Sequence, residues 1–468
     1  MSMVEEAVLV DAKSIVDAQR KYFNTGATKG YDFRLKQLKL LKAAVEKHEK
    51  QIVDALYADL RKPALEAYAT EHTITLADLD LAIKNLASWM RPERVPTPLF
   101  FMPGKSRIHS EPYGVTLTIA PWNYPFKNLI APVIGALCAG NTMVLKPSEL
   151  APATSKAIAD MVAEFFEPQY MTVIQGGVKE TQALLEEKWD FIMFTGGTEI
   201  GRIIYQAAAK NLTPVALELG GKSPCIVDSD VNIEVAAKRI CWGKFTNTGQ
   251  ICIAPDYIYV QKDIKAKFIE LVKKNITEFF GTDPKQSPDF GRIISNRHFN
   301  RIKNLIDGDV IVGGQTDESQ KYIAPTVIDN VTVDSKVMQE EIFGPIMPIM
   351  EYNKIDEVIS HINSGSKPLA LYIFTSNSSF SDKIVKETSS GAVLINDVLV
   401  HAGHPHLPFG GVGNSGMGAY NGRISFDTYS HRKGVLTRSF MFDVKQRYAP
   451  ATESNTNFLK FAIRKLIG

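Results

Sequence analysis

The chain has 468 residues, 45% hydrophobic and 22% charged, with 53 basic against 51 acidic side chains and a formal net charge of +2. That length exceeds one typical core, so two or three domains are expected. The balanced charge sets up no global field for nucleic acid, and four cysteines without a CxxC pair make neither a disulfide framework nor a zinc site.

Residues 1–90 carry long amphipathic runs such as "DFRLKQLKLLKAAVEKHEKQIVDAL" and read as helical. The opening "MSMVEEAVLVDAKS" has no basic segment followed by an apolar core, so no secretory signal is expected. No run of about 18 uncharged apolar residues predicts a membrane-spanning helix. A reducing, cytoplasmic setting follows as the expectation. "RPERVPTPLF" breaks the helical pattern with its prolines and reads as an extended linker or edge strand. From Gly114 onward, "GVTLTIA", "NTMVLKPS", "MTVIQGG" and "FIMFTGG" are short apolar runs separated by helical spacing such as "PATSKAIADMVAEFF". This alternation predicts an α/β fold with a doubly wound parallel sheet, which binds ligands beyond the carboxyl ends of its strands. A second series begins at "PVALELGGKSPCIVD" and continues through "YIYVQ", "YIAPTVI", "LALYIFT" and "AVLIND", predicting a second α/β domain. The final "NFLKFAIRKLIG" places Leu459, Ala462, Ile463, Leu466 and Ile467 on one helical face, flanked by Lys460, Arg464 and Lys465. Such a helix either docks on its own protein or lies on a membrane surface through residues 457–468.

Several of these segments carry chemistry. In "FTGGTEIGRIIYQAAAK", Gly196 and Gly201 bracket a strand-to-helix junction. Free N–H groups and the positive helix end there suit a pyrophosphate, although the spacing is not the usual G-x-G-x-x-G. "VLKPSE" puts Lys146 and Glu149 near a strand's carboxyl end, where an amine and a carboxylate reach ribose hydroxyls. Glu149 would repel a 2′-phosphate, so NAD is expected ahead of NADP. Cys252, in "NTGQICIAPDY", follows a polar turn where converging N–H dipoles are expected to lower the thiol pKa. Glu218, in "LELGG", ends an apolar run before two glycines and, partly desolvated, suits a general base for water. Asn123, between the prolines of "PWNYP", offers an amide to an oxyanion. Cys138, Cys225 and Cys241 lie in apolar runs and read as core. His401, His404 and His406 have no acidic partner nearby and read as a loop near the site mouth, with no metal.

Taken in order, "PWNYPF", "GNTMVLKPSELAPATS", "FTGGTEIG", "LELGGKSP", "GQICIAPDY", "EEIFGPIMPI" and "LPFGGVGNSGMGAYNG" resemble the aldehyde dehydrogenase superfamily. "KPSELAPATS", "AAAKNLTPVALELGGKSPC" and "APDYI" are most similar to its class 3 branch. The resemblance implies a cofactor-binding domain (1–90 and 112–217) and a catalytic domain (218–395). It further implies bridging segments that build a homodimer (91–111 and 396–450) and an amphipathic tail (451–468). It implies Cys252 as nucleophile, Glu218 as base, and Asn123 with the Cys252 N–H as oxyanion hole. Lys146 and Glu149 would hold the adenosine ribose, and Gly196 and Gly201 would lie in the cofactor turn. Glu341 and Phe343 would meet the nicotinamide ribose and ring. The implied activity is NAD(P)-dependent oxidation of aliphatic, lipid-derived or aromatic aldehydes to acids, through a thiohemiacetal and a thioester on Cys252. Gly197 stands where many relatives carry Ser. Ile251 and Ile253 stand where they often carry Thr and Val, which is expected to make the substrate mouth more apolar. A coenzyme A-acylating relative and a catalytically silent structural relative are the alternatives.

Overall fold

The computed structural model describes residues 11–467. Amphipathic helices Ala12–Asn24, Tyr31–Lys47, Glu49–Leu60 and Thr73–Trp89 come first. Their apolar stripes, including Leu38, Leu41, Ile52, Leu56, Leu79 and Leu86, are fully buried. Polar side chains tie this layer to the sheet behind it. Gln19 donates to the Met143 carbonyl at 2.7 Å and Arg34 to the Cys138 carbonyl at 2.9 Å.

The first sheet has six strands, in the order Gly416–Met417, Val215–Glu218, Phe191–Thr195, Val115–Ile119, Thr142–Lys146 and Met171–Val173. All pair in parallel except Gly416–Met417. Strands Val115–Ile119, Thr142–Lys146 and Phe191–Thr195 are buried at every residue, as expected for a sheet covered on both faces. The chain runs outward from Val115–Ile119 on one side and returns on the other. A crevice therefore opens at the strands' carboxyl ends, where the order reverses.

The second sheet has seven strands, in the order Asp309–Val312, Thr326–Asp329, Ile346–Tyr352, Tyr257–Gln261, Pro224–Val227, Ala370–Phe374 and Ala392–Ile395. The segment expected to open the second series is divided between the sheets. Val215–Glu218 completes the first, and Pro224–Val227 lies inside the second. Glu218 thus sits at the last residue before the chain crosses over.

A separate antiparallel sheet joins Glu93–Val95, Gly104–Pro112 and Ser430–Arg438, with register from Ser430 opposite Pro112 to Arg438 opposite Gly104. The proline-rich segment supplies its edge strand, as the sequence suggests. The last helix, Glu453–Leu466, starts at Thr452, whose hydroxyl accepts from the Asn455 N–H at 3.1 Å. Its apolar face is only partly covered. Ala462 is buried and Leu459 and Leu466 are half-buried, while Ile463 and Ile467 are exposed, as are Phe458 and Phe461. Among the described residues no helix is long and apolar enough to cross a membrane.

Candidate active site

The strand Phe191–Thr195 passes through Gly196 and Gly197 into the helix Thr198–Ala209. The Gly196 N–H donates to the Glu218 carbonyl at 3.0 Å, and a Cβ at Gly196 would sit 2.5 Å from the Phe194 ring. Gly197 precedes the helix with open space around it and provides no side-chain cap. The first-turn N–H groups are left for a ligand to satisfy. Gly201 lies inside the helix rather than in the turn itself. A Cβ there would meet Leu219 at 2.6 Å, so this glycine sets how closely the helix approaches the crossover after Glu218.

Lys146 ends its strand with its amine donating to the carbonyls of Pro147 at 2.9 Å and Gly176 at 2.6 Å. Burial lowers its pKa, and the charges of Glu149 and Glu180 oppose that shift. Glu149 is exposed.

The nucleophile loop is tightly wound. After helix Ile233–Phe245, residues Asn247, Thr248 and Gly249 adopt φ of 50°, 56° and 73°. Successive left-handed residues are costly for non-glycine side chains and persist only where surroundings hold them. A Cβ at Gly249 would collide with the Gly344 carbonyl, so this glycine answers to close packing as well as to φ. Gln250 braces the loop. Its amide donates to the carbonyls of Asn247 at 3.1 Å and Arg292 at 3.0 Å, and its oxygen accepts from the Ile294 N–H at 3.1 Å.

Cys252 is partly exposed, whereas Cys138, Cys225 and Cys241 are buried. Its pKa departs from the expectation of a lowered value and is pushed up to about 12. Burial is the main cause, followed by the charges of Glu341 and Glu218. The N–H groups of Cys252 and Ile253 pull the other way and lose. Without cofactor the sulfur therefore rests as a thiol at neutral pH. Alkylation of Cys252 in cofactor-free protein is expected to climb steadily as pH rises past the ordinary thiol pKa of about 8.5. A plateau at that pH in the iodoacetamide rate profile would show an unshifted thiol.

Glu218 is 1% exposed, and neither carboxyl oxygen has a hydrogen-bond partner. Burial holds its pKa well above the usual carboxylate range. Asn123 is also buried. Its Nδ2 donates to the Gln250 carbonyl at 3.0 Å, and its Oδ1 has no partner. Glu341 packs against Gly220, and burial with the nearby Asp256 charge raises its pKa to about 8.

Asn123, Gly196, Glu218, Cys252, Glu341 and Phe343 all line one cleft with about 290 Å³ of open space. Lys146, Glu149 and Gly201 are not among its walls. The cleft also holds residues that the sequence reading missed. Trp122 lies edge-on to Phe343, with ring centroids 5.3 Å apart, and His298 rests on Trp122 at 4.9 Å. Burial and the neighbouring Arg301 and Arg297 lower the His298 pKa to about 4, so it is neutral at physiological pH. Arg301 donates to the carbonyls of Glu341 at 3.1 Å and Ile342 at 2.7 Å, fixing that strip of the wall. The only local hint was the three-residue spacing of His298 and Arg301 in "NRHFNRIK", which puts both on one helical face. A dinucleotide fits these features. The helix N-terminus is uncapped, the walls are free of Cβ atoms at Gly196 and Gly220, and a buried carboxyl faces the same space.

The sequence profile of the aldehyde dehydrogenase family matches residues 1–435. The chain is 48% identical over 423 residues to a 4,4′-diaponeurosporen-aldehyde dehydrogenase of Staphylococcus aureus, covering 90% of this chain and 92% of the relative. It is 48% identical over 441 residues to the mouse dimeric NADP-preferring aldehyde dehydrogenase, covering 94% and 97%. A solved structure, the substrate-bound state of Staphylococcus aureus AldH, superposes with a TM-score of 0.94 at 45% identity, covering 96% of this chain and 99% of that one. The chain belongs to the aldehyde dehydrogenase family, is an aldehyde dehydrogenase, and stands with the family's class 3 members.

Proposed function

We propose that this enzyme oxidises apolar aldehydes, aliphatic, lipid-derived or aromatic, to carboxylic acids with NAD or NADP, through a thioester on Cys252. The observation that carries the reading is the shared cleft. A partly exposed thiol and a buried, unpartnered carboxyl line the same space, beside an uncapped helix N-terminus.

Each residue then has a task. The partly exposed Cys252 thiol gives its proton to solvent, and the thiolate adds to the aldehyde carbon. The oxyanion accepts from the Asn123 amide, released from the Gln250 carbonyl, and from the Cys252 N–H. When bound, the dinucleotide supplies the hydride acceptor for oxidation and a positive charge that lowers the thiol pKa. Glu218 then takes a proton from the water that attacks the thioester carbon, and the C–S bond breaks to release the acid. Burial raises its proton affinity, which strengthens it as a base once it is ionised. Gly196, Glu341 and Phe343 would hold the dinucleotide in the cleft, and Lys146 and Glu149, outside its walls, would meet the adenosine ribose. Glu149, which is exposed, would repel a 2′-phosphate, so NAD is favoured over NADP.

The two isoleucines beside the nucleophile do not form the apolar mouth first expected of them. Ile251 and Ile253 are 6% and 3% exposed and pack into the core rather than at a mouth. A chain-length series of aldehydes with NAD and NADP, with and without coenzyme A, tests the proposal. Rates should rise with apolar length and yield the free acid. A best rate with a short polar aldehyde, or an acyl-CoA product, would overturn it.

The same reading makes the enzyme a homodimer, supported by the exposed outer strand Ser430–Arg438 and checked by sedimentation. The last helix presents Phe458 and Phe461 beside Lys460, Arg464 and Lys465, which supports peripheral membrane contact. Equal flotation on anionic liposomes with and without residues 455–468 would remove that contact.

A further inference from the structure

Two fully buried charges stand outside the cleft. Lys62 and Glu71 form an ion pair with both side chains 0% exposed. Lys62 follows the helix Glu49–Leu60, and Glu71 lies in the wide helical turn Tyr68–His72. The Lys62 amine also donates to the Asn123 carbonyl at 3.1 Å and lies 4.0 Å from the centroid of the Tyr124 ring. The second Glu71 oxygen accepts from the N–H groups of Phe126 at 2.9 Å and Lys127 at 3.2 Å. The Asn123 carbonyl receives a further hydrogen bond from the Asn247 side chain at 2.9 Å. The Asn247 N–H in turn donates to Glu66 at 2.9 Å. One short stretch of the helical layer thus grips the loop that carries Asn123 and the turn that leads to Cys252.

A buried ion pair is weak support for stability, because two apolar side chains of similar volume often do as well. What apolar side chains cannot do is hold a backbone carbonyl and two backbone N–H groups in fixed directions. Fixing the Asn123 carbonyl fixes the Cα from which its amide projects. The left-handed turn at Asn247 and Thr248 needs such external support.

We propose that Lys62 and Glu71, together with Glu66, form a clamp that positions Asn123 and the Cys252 loop for acyl transfer. Lys62 and Glu71 are positioning residues that act through Asn123, Glu66 is one that acts through Asn247 on the Cys252 loop, and none touches substrate or cofactor. The inference rests on the thioester reading above.

The test is the double variant Lys62→Met/Glu71→Leu, which removes both charges at similar volume. It should fold, lower kcat by about 10- to 100-fold through misplacement of the reacting groups, and leave KM for the cofactor unchanged. Added to Asn123→Ala, the same pair of changes should lower kcat by less than about twofold more, because a clamp acting through Asn123 has nothing left to position. Hydrogen exchange should quicken in residues 121–128 and 246–252 and stay unchanged in the helix Tyr31–Lys47. Lys62→Arg, which keeps the donors, should restore part of kcat. Glu66→Gln, which keeps the charged pair intact, provides a second variant with the same exchange signature at 246–252. A folded double variant with wild-type kcat and exchange overturns the clamp, as does a full multiplicative loss on top of Asn123→Ala. Wild-type protein inactive on every aldehyde, with the exchange contrast intact, would instead sink the thioester reading and leave the clamp standing.

Discussion

Cys252→Ala is expected to reduce no cofactor with any aldehyde, a loss of about 10⁴-fold or more, while binding the dinucleotide like wild type. The expectation comes from exclusion as much as from placement. Cys138, Cys225 and Cys241 are buried, whereas Cys252 is partly exposed. None of the buried three lines the cleft. No other thiol can therefore take over the attack on a carbonyl held beside Asn123. Absorbance of the reduced cofactor and cofactor-quenched tryptophan fluorescence check the two halves of the expectation. Residual turnover near the wild-type rate would move the covalent step elsewhere.

Glu218→Gln is expected to separate the two half-reactions. Acylation needs no base at this position, so one equivalent of cofactor should be reduced rapidly. Deacylation then stalls, and steady turnover should fall by about 10²- to 10⁴-fold, the usual contribution of a positioned base. The pH dependence has a definite sign. Burial raises the Glu218 pKa well above the usual carboxylate range, and a base acts only when ionised. Turnover limited by deacylation should rise with pH through that raised value, and the Gln variant should lack this limb. Stopped-flow measurement of the first turnover beside a steady-state pH profile reads both. A Gln variant that turns over repeatedly at the wild-type rate would remove Glu218 from the mechanism.

Local pattern made some of this site legible. "FIMFTGG" announces a buried strand that ends in a turn too tight for side chains, and the structure puts Gly196 against the Phe194 ring. "NTGQICIAPDY" announces a sharp turn before Cys252, and Gly249 does carry a positive φ. What escaped depends on partners distant in sequence. The N–H groups that lower the Cys252 pKa are local and visible. The carboxyls of Glu218 and Glu341, which help burial raise it, arrive from other elements. Lys62, Glu66 and Glu71 sit in "DLRKPALEAYATEH", where nothing in the local pattern pairs one charge with another. Only the tertiary pairing buries Lys62 against Glu71. "PVALELGGKSPCIVD" reads as one element because it is continuous, whereas sheet membership follows from which strands it meets. The face of the last helix is partly covered for the same reason. Spacing gives the stripe, and the surface it packs on decides which half is covered.

The most direct test of the account is the mass of the Cys252 peptide from the Glu218→Gln variant, quenched after one turnover with aldehyde and cofactor. The account predicts one acyl group, of the mass of the aldehyde's acid less water, on Cys252 and matched to the cofactor reduced. Cofactor reduced in equal amount with an unmodified Cys252, or with the acyl group on another residue, would contradict it.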